Sequence, residues 1–535
     1  FLFEPLKMFN GAPARFDLDN DYYGMSNVVY PGRGAYYTLG DNTGLVHSYI
    51  DSNNVMNGQN YYYAVVSYDH GSKELQIPPS ECSKTITLNP TTNELITDVN
   101  TVRVIPSSPS IGVISGDIKD NIITHKAGVT TGEIFLDIID PYSLEEENEF
   151  EITFLESPTR YSIKDLKPVD DIINISLSQF RQLSQPNIDI NSIFVRDEEG
   201  NSYDLDYDFE LITDLGKIKG LSGGNLIDGE TYLISYLYYP IINSKAVNLE
   251  ETNPIVDGVK IRAKDVALSL NEQNTKWSTS SSCTWDPVVI PFNGADQFMY
   301  PGLYEVRFFN DIVDTSSTEL HPSFGNSRMN FEVWDVTPGR IPVKEEVTII
   351  EEGSNPDSLW SLGDRAIIMD GDPLGGKWEF TFTLPDSGDT ISASDGDVFF
   401  IDTHRPFAAD DTLIFTTRST KYDNDVAKRK LDSIYVVPNP YVVTNVLEQL
   451  DLQNPMDRGP RKIYFTNLPK ECIISIYSVS GDLVEKIHHS TDMDNSQEHW
   501  DLTTKDNFPL AYGVYIFHVD APGIGEKLGR FAVIK

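Results

Sequence analysis

Apolar and polar residues alternate along most of the chain. In "KWEFTFTL", Trp378, Phe380, Phe382 and Leu384 fall on one face and Glu379, Thr381 and Thr383 on the other, the pattern of a half-buried antiparallel strand. "LYEVRFF" sets Tyr304, Val306 and Phe308 opposite Glu305 and Arg307, and "FEVWDV" repeats the design from Phe331. Turn clusters separate such runs: "GDNTG" at Gly40, "NGQN" at Asn57, "DPLGG" at Asp372 and "SDGD" at Ser394. Short strands at this spacing predict an all-β chain of tandem β-sandwich domains of the immunoglobulin or fibronectin kind. The helical candidates are "DDIINISLSQFRQLSQ" from Asp170 and "VTNVLEQL" from Val443, and neither carries an apolar stripe.

At 535 residues the chain exceeds one core, and a prior of roughly 100 to 200 residues per domain predicts about four. Three weakly patterned stretches supply the boundaries: "TLNPTTNEL" from Thr87, "NEQNTKWSTSSSCTWDP" from Asn271 and "TRSTKYDNDVAKRKLDS" from Thr417. The expected units are residues 1–90, 91–270, 271–430 and 431–535, all β-sandwiches. The opening "FLFEPLKMFN" has neither a starter methionine nor the basic start and long apolar core of a signal peptide, so Phe1 reads as a position inside a longer protein. No stretch reaches the length of a membrane helix; the best, "YLISYLYYPII" from Tyr232, is short and broken by Pro240.

Charge narrows the partners. With 41 basic against 81 acidic residues the formal charge is -40, which repels phosphate backbones and anionic lipid alike. Nucleic acid is excluded as an expected partner. Cys82, Cys283 and Cys472 lie far apart with no C-x-x-C spacing, so no zinc knuckle or thioredoxin-type pair is encoded, and at most one disulfide can form.

Two segments carry resemblances. "VMNGQNYYYAVVSYDHG" from Val55 resembles the second half of a fibronectin type III domain: Asn57 and Gly58 take the turn, Tyr61 the corner tyrosine, and Tyr63 and Val65 continue an inward face. The early strands of such a domain are not clear upstream, so the unit is expected to be truncated or elaborated.

The second begins at "DSIYVVPNPYVVTN" from Asp432 and continues through "KIYFTNLPKECIISIYSVSGDLVEKI", "HWDLTTKDNFPLAYGVYIFHVDAPG" and "KLGRFAVIK". It is similar to the carboxy-terminal sorting domain of proteins exported by the type IX secretion system of the Bacteroidetes and related bacteria. The matching positions are Pro438, Asn439, Pro440 and Tyr441, then Tyr477, Ser480 and Gly481, then Trp500, Gly513 and Tyr515, and the ending Lys527, Phe531 and Lys535. A departure is the loop "TTKDNFPLAY", which lacks the glycine often found after the tryptophan. The residues themselves encode a sandwich, with Ile463/Phe465, Ile474/Ile476 and Tyr515/Phe517/Val519 as apolar rows and Gly481-Asp482 as a hairpin turn. The resemblance implies that this domain addresses a folded cargo to an outer-membrane translocon and its shuttle proteins, and is commonly cleaved or exchanged for a surface anchor afterwards.

The search for chemistry is mostly negative. There is no H-E-x-x-H, G-x-S-x-G, phosphate-loop, kinase or zinc signature, and no catalytic residue is assigned. "GIGEKLG" at Gly523 imitates a dinucleotide loop but has no following helix and reads as a turn. His488 and His489 are neighbours on a strand, where they point to opposite faces; the histidines read as packed or solvated. In "DLDNDYYG", Asp17, Asp19 and Asp21 have the spacing of a calcium loop, yet Tyr22 replaces the required glycine and Val28 the final glutamate. A hydrated acidic turn is the simpler reading, and calcium is the one cofactor candidate. Aromatics, 27 Tyr and 6 Trp, offer stacking faces for surface glycans, but alternating strands bury most of them.

The expected function is that of the non-catalytic C-terminal region of a large secreted cell-surface protein, structural or adhesive and located outside the cell after export. Alternatives are an accessory tail of a secreted hydrolase and a subunit of a self-assembling extracellular fibre, in which copies of the chain pair through exposed strands.

Overall fold

The computed structural model describes residues 15–18, 20–29, 36–45, 49, 51, 55, 57, 61–88, 95–156, 159–292, 300–318, 326–352, 358–369, 375–442 and 461–534. Among them the chain is all-β, built from antiparallel sheets with one parallel pair. Contacts divide it into two units that are discontinuous in sequence. One holds residues up to 117, residues 140–145 and residues from 419 on; the other holds 118–139 and 146–418.

The second unit contains two sandwiches. In the aromatic one, strands Val398–His404, Leu303–Phe308, Phe331–Asp335 and Val343–Glu345 form one sheet, extended by Ser269–Leu270. Strands Asp286–Pro291, Gly376–Thr383, Arg365–Met369 and Val347–Ile350 form the other. Trp378, Phe380 and Phe382 meet Tyr304, Val306, Phe308, Phe331 and Phe399 in one core, as alternation predicts. Leu384 departs from the prediction: the strand ends at Thr383 and Leu384 is exposed. The stretch from Asn271 that reads as a boundary contributes Trp277, Cys283 and Trp285 to the same core.

In the other sandwich two long strands, Arg160–Asn174 and Thr231–Ser244, lie antiparallel and bury Tyr232, Ile234, Tyr236 and Tyr238. Strand Thr412–Arg418 pairs with Glu149–Leu155 in this sheet. The helical candidate from Asp170 begins as strand here. Arg160–Asn174 runs through that point as strand, because its partner Thr231–Ser244 offers a ladder that isolated helix propensity cannot match. The buried Asp171 carboxylate accepts from the Ser184 amide at 2.7 Å and the Tyr236 hydroxyl at 2.8 Å, so it is tied into this packing rather than solvated.

The α-helix found among the described residues is Asn424–Lys430, inside the weakly patterned stretch from Thr417. Asp423 caps it, accepting from Asp425 N at 2.7 Å and Val426 N at 3.0 Å, and Lys428, Arg429 and Lys430 oppose its C-terminal dipole. At seven residues it is too short to display a periodic stripe. The other helical candidate, from Val443, lies outside the described residues.

Upstream in the first unit, strands Gly24–Val29 and Tyr36–Gly40, Tyr61–Ala64 and Thr101–Val104, and Ile86–Leu88 and Leu95–Thr97 form three two-stranded pairs. Val65, expected to face inward, is exposed because its strand ends at Ala64. Tyr63 donates its hydroxyl to Asp51 Oδ2 at 3.0 Å, and Asn57 donates to Ser108 Oγ at 2.8 Å. Gly58 lies outside the described residues.

Candidate functional site

The C-terminal segment folds as two facing sheets. Strands Tyr435–Val437, Ile463–Thr466 and Glu498–Trp500 form a three-stranded sheet. Strands Tyr441–Val442, Gly525–Ile534, Gly513–Ala521, Glu471–Ser478 and Leu483–Ser490 form a five-stranded one in that order. Between them lies one core containing Tyr441, Ile463, Phe465, Ile474, Ile476, Trp500, Tyr515, Phe517, Val519, Phe531 and Val533. Every apolar row expected from the sequence is in it.

Pro438, Asn439 and Pro440 carry the chain from one sheet to the other, between a strand paired with Ile463–Thr466 and a strand paired in parallel with the final one. Both X-Pro bonds, Val437-Pro438 and Asn439-Pro440, are cis. Proline donates no backbone hydrogen bond, so it suits a crossing where the ladder is interrupted. Asn439 fills the gap. Its Nδ2 donates to Arg530 O at 3.1 Å, and its Oδ1 accepts from Ala532 N at 3.1 Å. A side-chain amide has the donor and acceptor of a peptide group, and here it continues the ladder along the edge of Gly525–Ile534. Tyr441 follows, opposite Val533 and buried.

The final strand shows why its spacing is two. Lys527, Gly529, Phe531 and Val533 alternate with the more exposed Glu526, Leu528, Arg530 and Ile534. Phe531 stacks on Tyr515 at 5.6 Å and meets Trp500 edge-on at 6.1 Å. Trp500 donates its indole N–H to Thr503 O at 2.9 Å, and Tyr515 donates its hydroxyl to Ala511 O at 2.8 Å, so both buried rings keep their polar ends paired. Lys527 Nζ reaches Asp432 Oδ1 at 2.6 Å and holds that carboxyl below its ordinary range. Lys535 lies outside the described residues.

Glycines divide by physical role. Gly481 closes the turn between Glu471–Ser478 and Leu483–Ser490 with φ 91°, donating to Ser478 O at 3.0 Å; a side chain resists that conformation. Gly513 opens its strand with room for a Cβ. Gly529, expected as part of a turn, is the constrained one: it pairs with Phe517, whose ring lies across it, and a Cβ would stand 2.1 Å from Phe517 Cζ. The signal was present, since the small residue between Lys527 and Phe531 points inward opposite an aromatic. Tyr477 pairs with Ile516 beside a register shift that leads into the turn. The loop without a glycine after Trp500 is entered through Leu502, at φ 60° and buried, and turns again at Asn507, also at φ 60°. Of the "GIGEKLG" glycines, read as a turn, Gly523 does lie in the hairpin between the last two strands, with Ile524 donating to Ala521 O at 3.0 Å, whereas Gly525 opens the final strand and Gly529 lies inside it.

Polar groups in this domain are placed for packing. His488 is exposed and His489 is buried on the opposite face, its Nδ1 3.0 Å from Glu498 Oε2. Cys472, directly across from His489, has its thiol pushed up to about 12 by burial, with Glu498 and Asp520 adding to the effect. A thiol so protonated is a poor nucleophile. All three cysteines are free.

The acidic loop lies elsewhere in this unit. Asp17 is buried and accepts from Asn42 N at 3.0 Å, Thr43 N at 3.1 Å and Thr43 Oγ1 at 3.0 Å. Burial alone raises its pKa, but these donors outweigh it and hold the carboxyl below the ordinary range. Asp21 is exposed, and Asp19 lies outside the described residues. Among the described residues no group of three His, Cys, Asp or Glu side chains is placed to hold a metal ion, and no helix is long and apolar enough to cross a membrane.

No protein-family model matches the chain, and no curated protein matches it. Solved structures similar to it include PorZ of Porphyromonas gingivalis, an essential bacterial surface component of the type IX secretion system. PorZ is 12% identical over 86% of this chain and 63% of its own, with a TM-score of 0.18. Dimeric latent PorU of the same organism is 13% identical over 84% of this chain and 36% of its own, with a TM-score of 0.14. The chain therefore spans less than two thirds of the length of either.

Proposed function

We propose that this chain is the C-terminal region of a secreted surface protein, non-catalytic and structural or adhesive, exported through a type IX secretion system by the domain that begins near residue 431. The observation that carries this reading is convergence. Motif positions spread from Pro438 to Phe531 meet along one edge and one core of a single sandwich, with Asn439 bonded to the final strand and Phe531 packed between Trp500 and Tyr515. A set of sequence elements that makes one folded object can serve as one recognition unit, whereas scattered coincidences need not meet.

The test is export of the full chain, with a suitable leader, in a bacterium that has a type IX system and in an isogenic strain lacking its translocon. The chain should reach the outer surface or medium only in the first, and deletion of residues 431–535 should leave it in the periplasm. Translocon-independent export, or export of the deleted chain, would overturn the reading.

A further inference from the structure

The C-terminal sandwich is not completed by C-terminal residues alone. Ile111, far upstream in sequence, is a buried member of its core beside Ala427, Leu431 and Leu468. The backbone around it, which turns at Ile111-Gly112 with Val113 N donating to Ser110 O at 3.1 Å, is hydrogen-bonded to the C-terminal domain. Ser110 N donates to Met493 O at 3.0 Å, Ile111 N to Leu468 O at 3.1 Å, and Ser496 N to Ser108 O at 2.9 Å. Two hydroxyls add to this: Ser107 Oγ donates to Asp494 O at 2.8 Å and Ser110 Oγ to Asn495 O at 3.0 Å. Downstream, Asp423 N donates to Gly112 O at 2.9 Å, and Val113–Ile114 pairs with Lys421–Tyr422.

The fit leaves no slack at Gly112. It has φ +102°, and a Cβ there would stand 2.8 Å from Ala427 Cβ and 2.9 Å from Asp423 O. Pro106 and Pro109 bias the residues before them toward extended backbone. Main-chain hydrogen bonds supply the attachment here and one side-chain pocket supplies the register, as in peptide recognition by backbone pairing. Removal of the segment would strip partners from Leu468 O, Met493 O, Asn495 O, Ser496 N and Asp423 N and open a hole at Ile111.

We propose that residues 107–114 form an intramolecular clasp that holds the C-terminal domain to the upstream chain without need of the covalent link at Arg418-Ser419. The occupant of the groove is this chain's own segment. The inference stands on packing alone and is independent of any sorting role. Its consequence is that proteolysis at that junction leaves the C-terminal domain in place.

The experiment inserts a site-specific protease sequence between Arg418 and Ser419 of the full chain, cuts it, and applies the product to native gel filtration with mass detection. The two fragments should co-elute at the mass of the uncut chain, and Gly112→Val or Ile111→Asp in the same background should release the C-terminal fragment at concentrations at least tenfold higher than any at which the parent dissociates. Where those variants fail to fold, Ser107→Ala/Ser110→Ala is read by hydrogen exchange, with amides of 493–496 expected to exchange at least tenfold faster. Separation of the parent fragments on cutting, retention unaffected by any of these substitutions, or co-elution at twice the expected mass, which would place a second copy's segment in the groove, would each overturn the proposal.

Discussion

Gly529→Ala tests whether the aromatic roof over the final strand is as closed as its geometry implies. The added methyl would meet Phe517 Cζ at 2.1 Å, Cε1 at 2.4 Å and Cε2 at 2.9 Å. The ring cannot simply swing away, because Phe517 is buried and packs edge-on against Phe465 at 5.5 Å. Overpacking of this kind costs about 1–3 kcal/mol. Alanine restricts the unfolded chain and returns about 0.4–1 kcal/mol, so the net loss is about 1–2 kcal/mol. Phe517→Leu alone loses packing and costs about 1–2 kcal/mol, below the ~3–5 of truncation to alanine. The two changes share one space, so the double variant should lose less than the sum of the singles by at least ~1 kcal/mol. Because a chain of several domains is not two-state, the readout is hydrogen exchange of amides in 513–521 and 525–534 across a urea series. A Gly529→Ala penalty of the same size in the parent chain and in the Phe517→Leu background would refute the steric account.

Three further outcomes are expected. Arg405 is buried, donates to Asp402 Oδ1 at 2.8 Å and Val129 O at 2.8 Å, and joins the two sandwiches of its unit; Arg405→Ala leaves Asp402 buried without its cation and should cost about 3–5 kcal/mol, read by hydrogen exchange of amides in Val398–His404 across a urea series, while a loss under ~1 would show that the bridge is dispensable. Iodoacetamide at neutral pH should label Cys82, which is exposed, and spare Cys283 and Cys472, whose thiols burial pushes up to about 11 and about 12; modification of either buried thiol before unfolding, read by peptide mass, would refute their burial. Glu332, hydrogen-bonded by Lys344, is held below its ordinary pKa, as is Glu151, where Lys126 and Lys164 outweigh burial. A depressed folded pKa adds stability that is present above the unfolded value of about 4.3 and is lost as pH falls through the folded one, so the unfolding midpoint should drop between about pH 5 and 3, and Glu332→Gln should flatten that drop; an unchanged pH profile in the variant would contradict the assignment.

The alternating strands were legible because each buries one face against a single apolar core. Trp378, Phe380 and Phe382 needed no tertiary information to be placed. What escaped the sequence was set by non-local pairing. The run from Asp170 carries no strong alternation, and its strand state comes from Thr231–Ser244, far along the chain. Asn424–Lys430 is defined by a cap rather than by a stripe. Ile111 sits in a serine- and proline-rich stretch whose composition resembles a linker, and only the groove near Leu468 reveals it as core. In the C-terminal domain the motif positions were found by resemblance, but their division into roles was not. Asn439 acts as a substitute peptide, Gly481 as a conformational necessity, and Gly513 as neither.

That division bears on what a receptor could read. Asn439, Pro440, Gly481 and Gly513 are exposed, but Tyr441, Trp500, Tyr515 and Phe531 are all buried, so a partner that meets the folded domain cannot touch the motif's aromatic residues. They specify the sandwich, and the sandwich in turn presents a different row. Leu528 and Ile534 from the last strand and Val514 and Ile516 from its neighbour are exposed, with Val514 paired to Ala532, Ile516 to Arg530 and His518 to Leu528. A sheet face that keeps several aliphatic groups in water around one arginine is costly to leave bare. If export depends on recognition of the folded domain, the constraint on the buried aromatic positions of the motif is the fold, and this outward row and the sheet edge that Asn439 closes are surfaces on which specificity can be encoded.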